Sequence, residues 1–358
     1  MFLIFSSLLL GQEEIIRNFS IVKEADEIQS VLDELGRKGG GIVFLPAGTY
    51  RIEKTLKIPS NIILRGAGSA TILKPSISIG EREYPNNRVI QNADEAKGNR
   101  EIIIENLTID GEFLGEYHKT GIYGISLNNC DNCFIRNVIV RKCSGEGILV
   151  AYGKGNIVVE NCIVEENNHG INIHHIHGAV LVKDNICKRN GINKPQYGGI
   201  GIFVEGVENV SITGNICQDN AWAGIVWMGG ADEVRGIKYP ANDCLIANNI
   251  CINNGSQGGI FLNGTYSETR RFLVQGNICK ENESHGIWGF KVRDGVIGNN
   301  MSVNNKGYGI LLKESDDVLL CNNIVLENKQ GNIQVEGKGN RVVNNLYNEK
   351  IEKEVETK

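Results

Sequence analysis

Histidine is unevenly placed in this chain of 358 residues. Of six in all, four fall between positions 169 and 177, as His169, His174, His175 and His177. The unperturbed imidazole changes charge close to neutral pH, so a local cluster suggests proton transfer or metal ligation. Spacing does not force a three-histidine metal site, because His174 and His177 do not share one strand face with His175. Further along stand Glu205 and then, in one short stretch, Asp232, Glu233, Arg235 and Lys238. With His174 these are the candidate catalytic residues. Two carboxylates flanking a bond, one of them protonated, can hydrolyse a glycosidic link. A base beside groups that neutralise a substrate carboxylate can instead remove the proton alpha to it. Glu205, Asp232 and Glu233 are also hard oxygen ligands, and calcium is the one cofactor they suggest.

What would position these residues is a repeat. The phrase Asn-Ile-Cys recurs at Asn185, Asn215, Asn249 and Asn277, and a relaxed form extends it to Asn106, Asn137, Asn161, Asn300, Asn323 and Asn345. Where no insertion intervenes, successive markers stand 22–24 residues apart. Between them lies a Gly-Ile pair followed by alternating residues, as at Gly124, Gly147, Gly170, Gly201, Gly224, Gly259, Gly286 and Gly309. Short alternations separated by Gly and Asn read as strands and turns. A unit of this size cannot bury its own apolar face, but stacked units can, which predicts an all-β parallel β-helix of about ten coils. The Asn column is expected to hydrogen-bond along the axis and to supply left-handed turn backbone. The Cys column at Cys187, Cys217, Cys251 and Cys279 is expected to face the core as small apolar groups.

Alternation then sorts the residues after each Gly-Ile pair. One outward column runs Ser126, Leu149, Asn172, Phe203, Val226, Phe261, Trp288, Leu311. The next runs Asn128, Ala151, His174, Glu205, Met228, Asn263, Phe290, Lys313. His174 and Glu205 should therefore stand on adjacent coils about 5 Å apart, where the carboxylate orients the imidazole and favours its charged form. Every long insertion falls beside the Gly-Ile strand, so the extra loops should wall a groove floored by it. Candidate substrate-binding residues on that floor and its walls are Asn172, Tyr197, Phe203, Trp222, Phe261, Asn263, Trp288, Lys291 and Arg293. The aromatic ones suit sugar rings, unless the loops fold down and bury them.

The run Gly41-Ile-Val-Phe-Leu-Pro-Ala-Gly-Thr-Tyr50, then Ile62-Ile-Leu-Arg-Gly-Ala-Gly68, follows an amphipathic segment with Ile28, Val31, Leu32 and Leu35 at helical spacing. This arrangement resembles the N-terminal part of the pectate-lyase superfamily, and the later Asn-marked coils resemble its right-handed β-helix repeats. The resemblance implies a capping helix over 25–37 and a single β-helix domain over 19–348. It also implies a polysaccharide partner, likewise expected to be acidic. It leaves activity open among lyase, hydrolase and epimerase, with a non-catalytic glycan binder or a viral tailspike-like fibre as the alternatives. The motif set of polygalacturonases is absent, which counts against hydrolysis.

Composition narrows the rest. Lys and Arg number 37 against 42 acidic residues, a net charge of −5, which excludes nucleic-acid binding driven by bulk charge. Residues 1–18 include an apolar run, Phe2 to Leu10, of the size of a leader h-region and too short to span a membrane, so secretion or surface display is expected. Residues 349–358 form a charged tail. The Cys130/Cys133 pair stands alone and is weak as a zinc signal. A monomer is expected in preference to a trimer.

Overall fold

The computed structural model describes residues 18–76, 87–114, 121–193, 195–232, 236–347, 350–351 and 355–356. The leader call on 1–18 lies outside this set apart from Asn18. The chain divides into two compact units, residues 1–163 and 164–358.

In the first unit an α-helix, Ile28–Arg37, buries Ile28, Leu32 and Leu35 on one face. A 3-10 turn over Ala25–Glu27 leads into it, so the helical segment spans the predicted 25–37. Parallel strands follow: Gly41–Leu45 pairs with Ile62–Gly66, and Ile103–Asp110 pairs with Cys133–Arg141. A second parallel sheet of this unit contains Leu56–Ile58, Arg88–Asn92, Tyr123–Asn128 and Ile148–Ala151.

The second unit is a stack of coils with the predicted register. Its Gly-Ile strands, here called the floor sheet, run Ile171–His174, Ile200–Glu205, Ala223–Met228, Gly258–Asn263, Ile287–Phe290, Tyr308–Lys313 and Gly331–Val335, each parallel to the next. Ile171, Ile202, Ile225, Ile260, Ile287 and Ile310 all point into a sealed core. At the C-terminal end, Lys350–Ile351 and Val355–Glu356 pair antiparallel with Leu346–Tyr347 and Arg341–Val343. This is a parallel β-helix, as the repeat predicted. No helix among the described residues is long and apolar enough to cross a membrane.

Seven of the ten marker asparagines form the ladder. From Asn185 to Asn345 each side-chain amide donates to the carbonyl oxygen of the next, at 2.8–3.0 Å. A buried amide is costly alone, and here every donor and acceptor is used. The left-handed backbone expected of these residues belongs to the residue before each: Asp184, Gly214, Asn248, Gly276, Asn299, Asn322 and Asn344. Asn106, Asn137 and Asn161 are different. They are themselves left-handed, and the apolar Leu107, Val138 and Cys162 after them point inward. In the first unit the marker is thus the turn residue, and apolar side chains fill the position that amides occupy later.

A second amide ladder, missed in the sequence, runs Asn167, Asn190, Asn220, Asn254, Asn282, Asn305 and Asn328 at 2.8–3.3 Å. From Asn190 onward each member lies five residues after a member of the first. The four-cysteine column between them is fully buried, as expected.

Candidate active site on the floor sheet

The residues that could do chemistry meet on the outer face of the floor sheet of the second unit. His174 ends one strand and Glu205 the next, and the two are register partners. The His174 Nδ1 lies 3.4 Å from Glu205 Oε2, with both side chains about one-fifth exposed. His175 joins them, against the alternation that would send it inward. Its backbone is left-handed (φ 52°), which turns the ring back so that Nε2 lies 3.7 Å from Glu205 Oε1. Burial pushes the Glu205 carboxyl up, but hydrogen bonds and charge from His174 and His175 outweigh it and hold the group down at about 2. Glu205 is thus ionised at neutral pH and unsuited to be the protonated acid of a hydrolytic pair.

The long bend after Ala223–Met228 folds over this cluster as a hairpin, Gly230–Asp232 against Ile237–Tyr239. Tyr239 stacks on His175 with ring centroids 3.8 Å apart, and His177 stands 6.5 Å from the same ring. Two glycines make the closeness possible. A Cβ on Gly206 would come within 2.5 Å of the Tyr239 Cβ and 2.6 Å of His175 Cδ2. On Gly230 it would come within 2.6 Å of His175 Nε2 and 2.8 Å of Glu205 Oε1. Of the candidates on this hairpin, Lys238 is exposed. Asp232 is described by its backbone alone, and Glu233 and Arg235 lie outside the described residues. Among the described residues no group of three His, Cys, Asp or Glu could hold a metal.

Next along the floor is an apolar stretch. Val226, Met228 and Phe261 are buried, and Phe203, Trp222, Trp288 and Phe290 pack half-buried against them. Phe261 and Trp288, register partners on adjacent coils, stack with centroids 4.1 Å apart; Phe261 is 6% exposed and Trp288 is half-buried. Phe203 meets His174 edge-on at 5.2 Å. Asn172 is buried beside Phe203 in the register. Asn263 is half-buried, and its Oδ1 accepts from the Thr265 N–H at 2.9 Å, closing the bend that follows.

Other candidates have structural duties. Trp222 Nε1 donates to the Pro195 carbonyl at 2.6 Å and so anchors the bend before Ile200–Glu205. The Tyr197 side chain in that bend lies outside the described set. His169 Nδ1 accepts from the Ile200 N–H at 3.2 Å, and His285 Nδ1 from the Tyr308 N–H at 2.9 Å, the same role at equivalent positions. Lys291 pairs with Glu314 at 3.6 Å, and Arg293, on the strand after the floor, pairs with Glu268. Sequence reasoning missed His175, whose signal is only a His-His pair at a strand end.

Stacked parallel coils with an outer-face cluster of histidines and a carboxylate define a parallel β-helix protein. A family profile described as Rhamnogalacturonase A/epimerase, pectate lyase-like matches residues 22–226, more than half of the chain, and the chain belongs to that family. A second profile, Periplasmic copper-binding protein (NosD), matches residues 192–358. The described residues of that segment do not fit copper: in its one histidine, His285, Nδ1 accepts from a backbone N–H, Cys217, Cys244, Cys251 and Cys279 are sealed in the core, and the half-buried Cys321 belongs to no group of three potential ligands. The chain is 26% identical over 290 residues to the pre-neck appendage protein of Bacillus phage phi29, covering 59% of this chain and 33% of that protein. It spans about a third of that relative's length. Among solved structures it resembles the A-module of the mannuronan C-5 epimerase AlgE6 of Azotobacter vinelandii, with a TM-score of 0.73 and 16% identity over 94% of this chain and 98% of that one. It also resembles the tailspike protein of E. coli bacteriophage HK620 bound to a pentasaccharide, with a TM-score of 0.67 and 16% identity over 92% and 62%.

Proposed function

We propose that the protein binds an acidic polysaccharide along the floor sheet of the second unit and acts on it by proton transfer at His174 and Glu205. The observation that carries this reading is the His174–Glu205 contact at 3.4 Å, with both side chains about one-fifth exposed and half-buried rings beside them. In this reading the Glu205 carboxylate orients the imidazole ring and His174 moves the proton. His174 Nε2 is buried and has no hydrogen-bond partner among the described residues. With Glu205 ionised, removal of the proton alpha to a uronate carboxylate fits better than hydrolysis, and Lys238, exposed on the hairpin, would offset the substrate's charge. Phe203 and Trp288 offer flat apolar faces for sugar rings. The mannuronan epimerase and the oligosaccharide-bound tailspike among the structural neighbours support a carbohydrate partner. The periplasmic and phage-appendage matches support placement outside the cytoplasm or on a particle surface.

A panel of uronan and neutral polysaccharides tests this, assayed for ultraviolet-absorbing unsaturated ends, for reducing ends and for epimerised residues, with and without calcium. Activity on a uronan that disappears in Glu205→Gln, with circular dichroism unchanged, is the expected result. Full turnover by that variant removes Glu205 from the mechanism. A second reading, binding without turnover as in a phage-type appendage, is favoured by the closed hairpin, which leaves His175 only 6% exposed. Binding to the same polymers with no product in any assay selects it.

A further inference from the structure

His175 is the member of the cluster that its strand does not place. The strand Ile171–His174 ends before it, and its left-handed backbone turns the ring away from the core that alternation assigns to it. A side chain at a strand end keeps a choice of rotamers unless packing selects one. The contact with Glu205, 3.7 Å from Nε2 to Oε1, is longer than a hydrogen bond that would fix the ring by itself. The residue is nevertheless only 6% exposed, so it is covered.

One cross-strand pair of the hairpin supplies cover. Gly230 and Tyr239 are register partners, and both close on the same imidazole. The Tyr239 ring lies over it with centroids 3.8 Å apart and planes 19° from parallel. Gly230 meets the edge that faces Glu205, where a Cβ would crowd both His175 Nε2 and Glu205 Oε1. On the floor side Gly206, the residue after Glu205, leaves room for Tyr239 and His175 at once. The hairpin is an insertion in the bend after Ala223–Met228, and the coil repeat does not require it.

We propose that Tyr239 is a positioning residue whose ring clamps His175 against Glu205. His175 engages Glu205 Oε1 while His174 engages Oε2, so a fixed His175 fixes the rotation of the carboxylate and the oxygen it presents to His174. Tyr239 acts through His175 and Glu205 and needs no contact with the reacting atoms. The stack uses the face of the ring, which also favours a charged imidazole over it. A phenylalanine should therefore serve as well, and an aliphatic side chain should not. The consequence for turnover rests on the proton transfer proposed above, whereas the placing of His175 does not.

Variants at position 239 test this in two arms. Crystal structures read the placing: His175 Nε2 should stay on Glu205 Oε1 in Tyr239→Phe and leave it in Tyr239→Ala. Kinetics on a uronan reads the consequence. Tyr239→Phe should keep the wild-type kcat, and Tyr239→Ala should lower it about tenfold with KM little changed, the pattern of lost orientation at the reacting group. His175→Ala should lower kcat by a similar factor, and adding Tyr239→Ala to it should lower it no further, because the two act as a unit. Tyr239→Leu replaces Tyr239→Ala in both arms if the smaller side chain prevents folding. A His175 that stays on Glu205 in the aliphatic variant overturns the proposal. So does a Tyr239→Phe as impaired as Tyr239→Ala, or additive losses in the double variant. If the wild type turns over no uronan, the proposed function fails alone, and the crystal structures still decide the role of Tyr239.

Discussion

The titration of Glu205 is the sharpest consequence of the site geometry. Its carboxyl is buried, which by itself favours the neutral form, yet two imidazoles at 3.4 and 3.7 Å hold it at about 2 against an ordinary value of 4.5. The difference is about 2.5 units, and at about 1.4 kcal/mol per unit the ionised form is favoured by roughly 3 kcal/mol in the folded state. A depressed folded value means that this stability is fully present above about pH 4.5 and is lost as pH falls toward 2. Glu205→Gln removes the titration, so the stability gap between wild type and variant should shrink by about 3 kcal/mol between pH 5 and pH 2. Selective ¹³C-carboxyl NMR reads the group directly: the wild-type midpoint should lie near 2. In His174→Ala with His175→Ala only burial remains, and the midpoint should rise above 4.5. A double variant whose Glu205 still titrates near 2, or a wild-type midpoint near 4.5, refutes the claim that the histidines set this charge.

Three further outcomes follow from the packing. Asn249→Ala breaks one amide ladder, because the Asn215 N–H and side-chain amide both donate to Asn249 Oδ1 at 2.9 and 3.0 Å. It should cost about 2–4 kcal/mol, read as a lowered melting temperature. Trp288→Ala should weaken oligosaccharide binding roughly tenfold by calorimetry with little change in stability, since the ring is half-buried at the surface. Phe261→Ala, at the more buried ring, should cost about 3–5 kcal/mol of stability, and equal effects of the two on stability would contradict this difference in burial. Gly230→Ala has no room beside His175 and Glu205, so it should displace the hairpin and depress turnover while circular dichroism stays unchanged.

The sequence made the periodic features legible and hid the features that depend on single backbone exceptions. Alternation from a Gly-Ile marker put His174 opposite Glu205 and Phe261 beside Trp288, because in a parallel coil stack register follows from spacing alone. It could not rank burial within a column, since Trp288 and Phe261 share one outward row and only packing decides which ring is the more buried. His175 was lost for a related reason. Alternation sends it inward, and one left-handed residue at the strand end turns it back onto the carboxylate. The same exception explains the marker asparagines. Asn161 and Asn185 look alike in the repeat, yet one is the left-handed turn residue and the other the buried rung after it, a shift of one residue that reverses which side chain is inside. The second ladder was legible in principle, since Asn at a constant offset of five from the first marks the two ends of a three-residue strand. That strand's middle residue is the buried cysteine, and its first residue is the outward isoleucine. The rule that makes the core therefore also sets an outward apolar residue beside it on successive coils, from Ile216 to Leu346. Lengthened bends interrupt that repetition, and in the second unit all three of them border the floor sheet that carries His174 and Glu205.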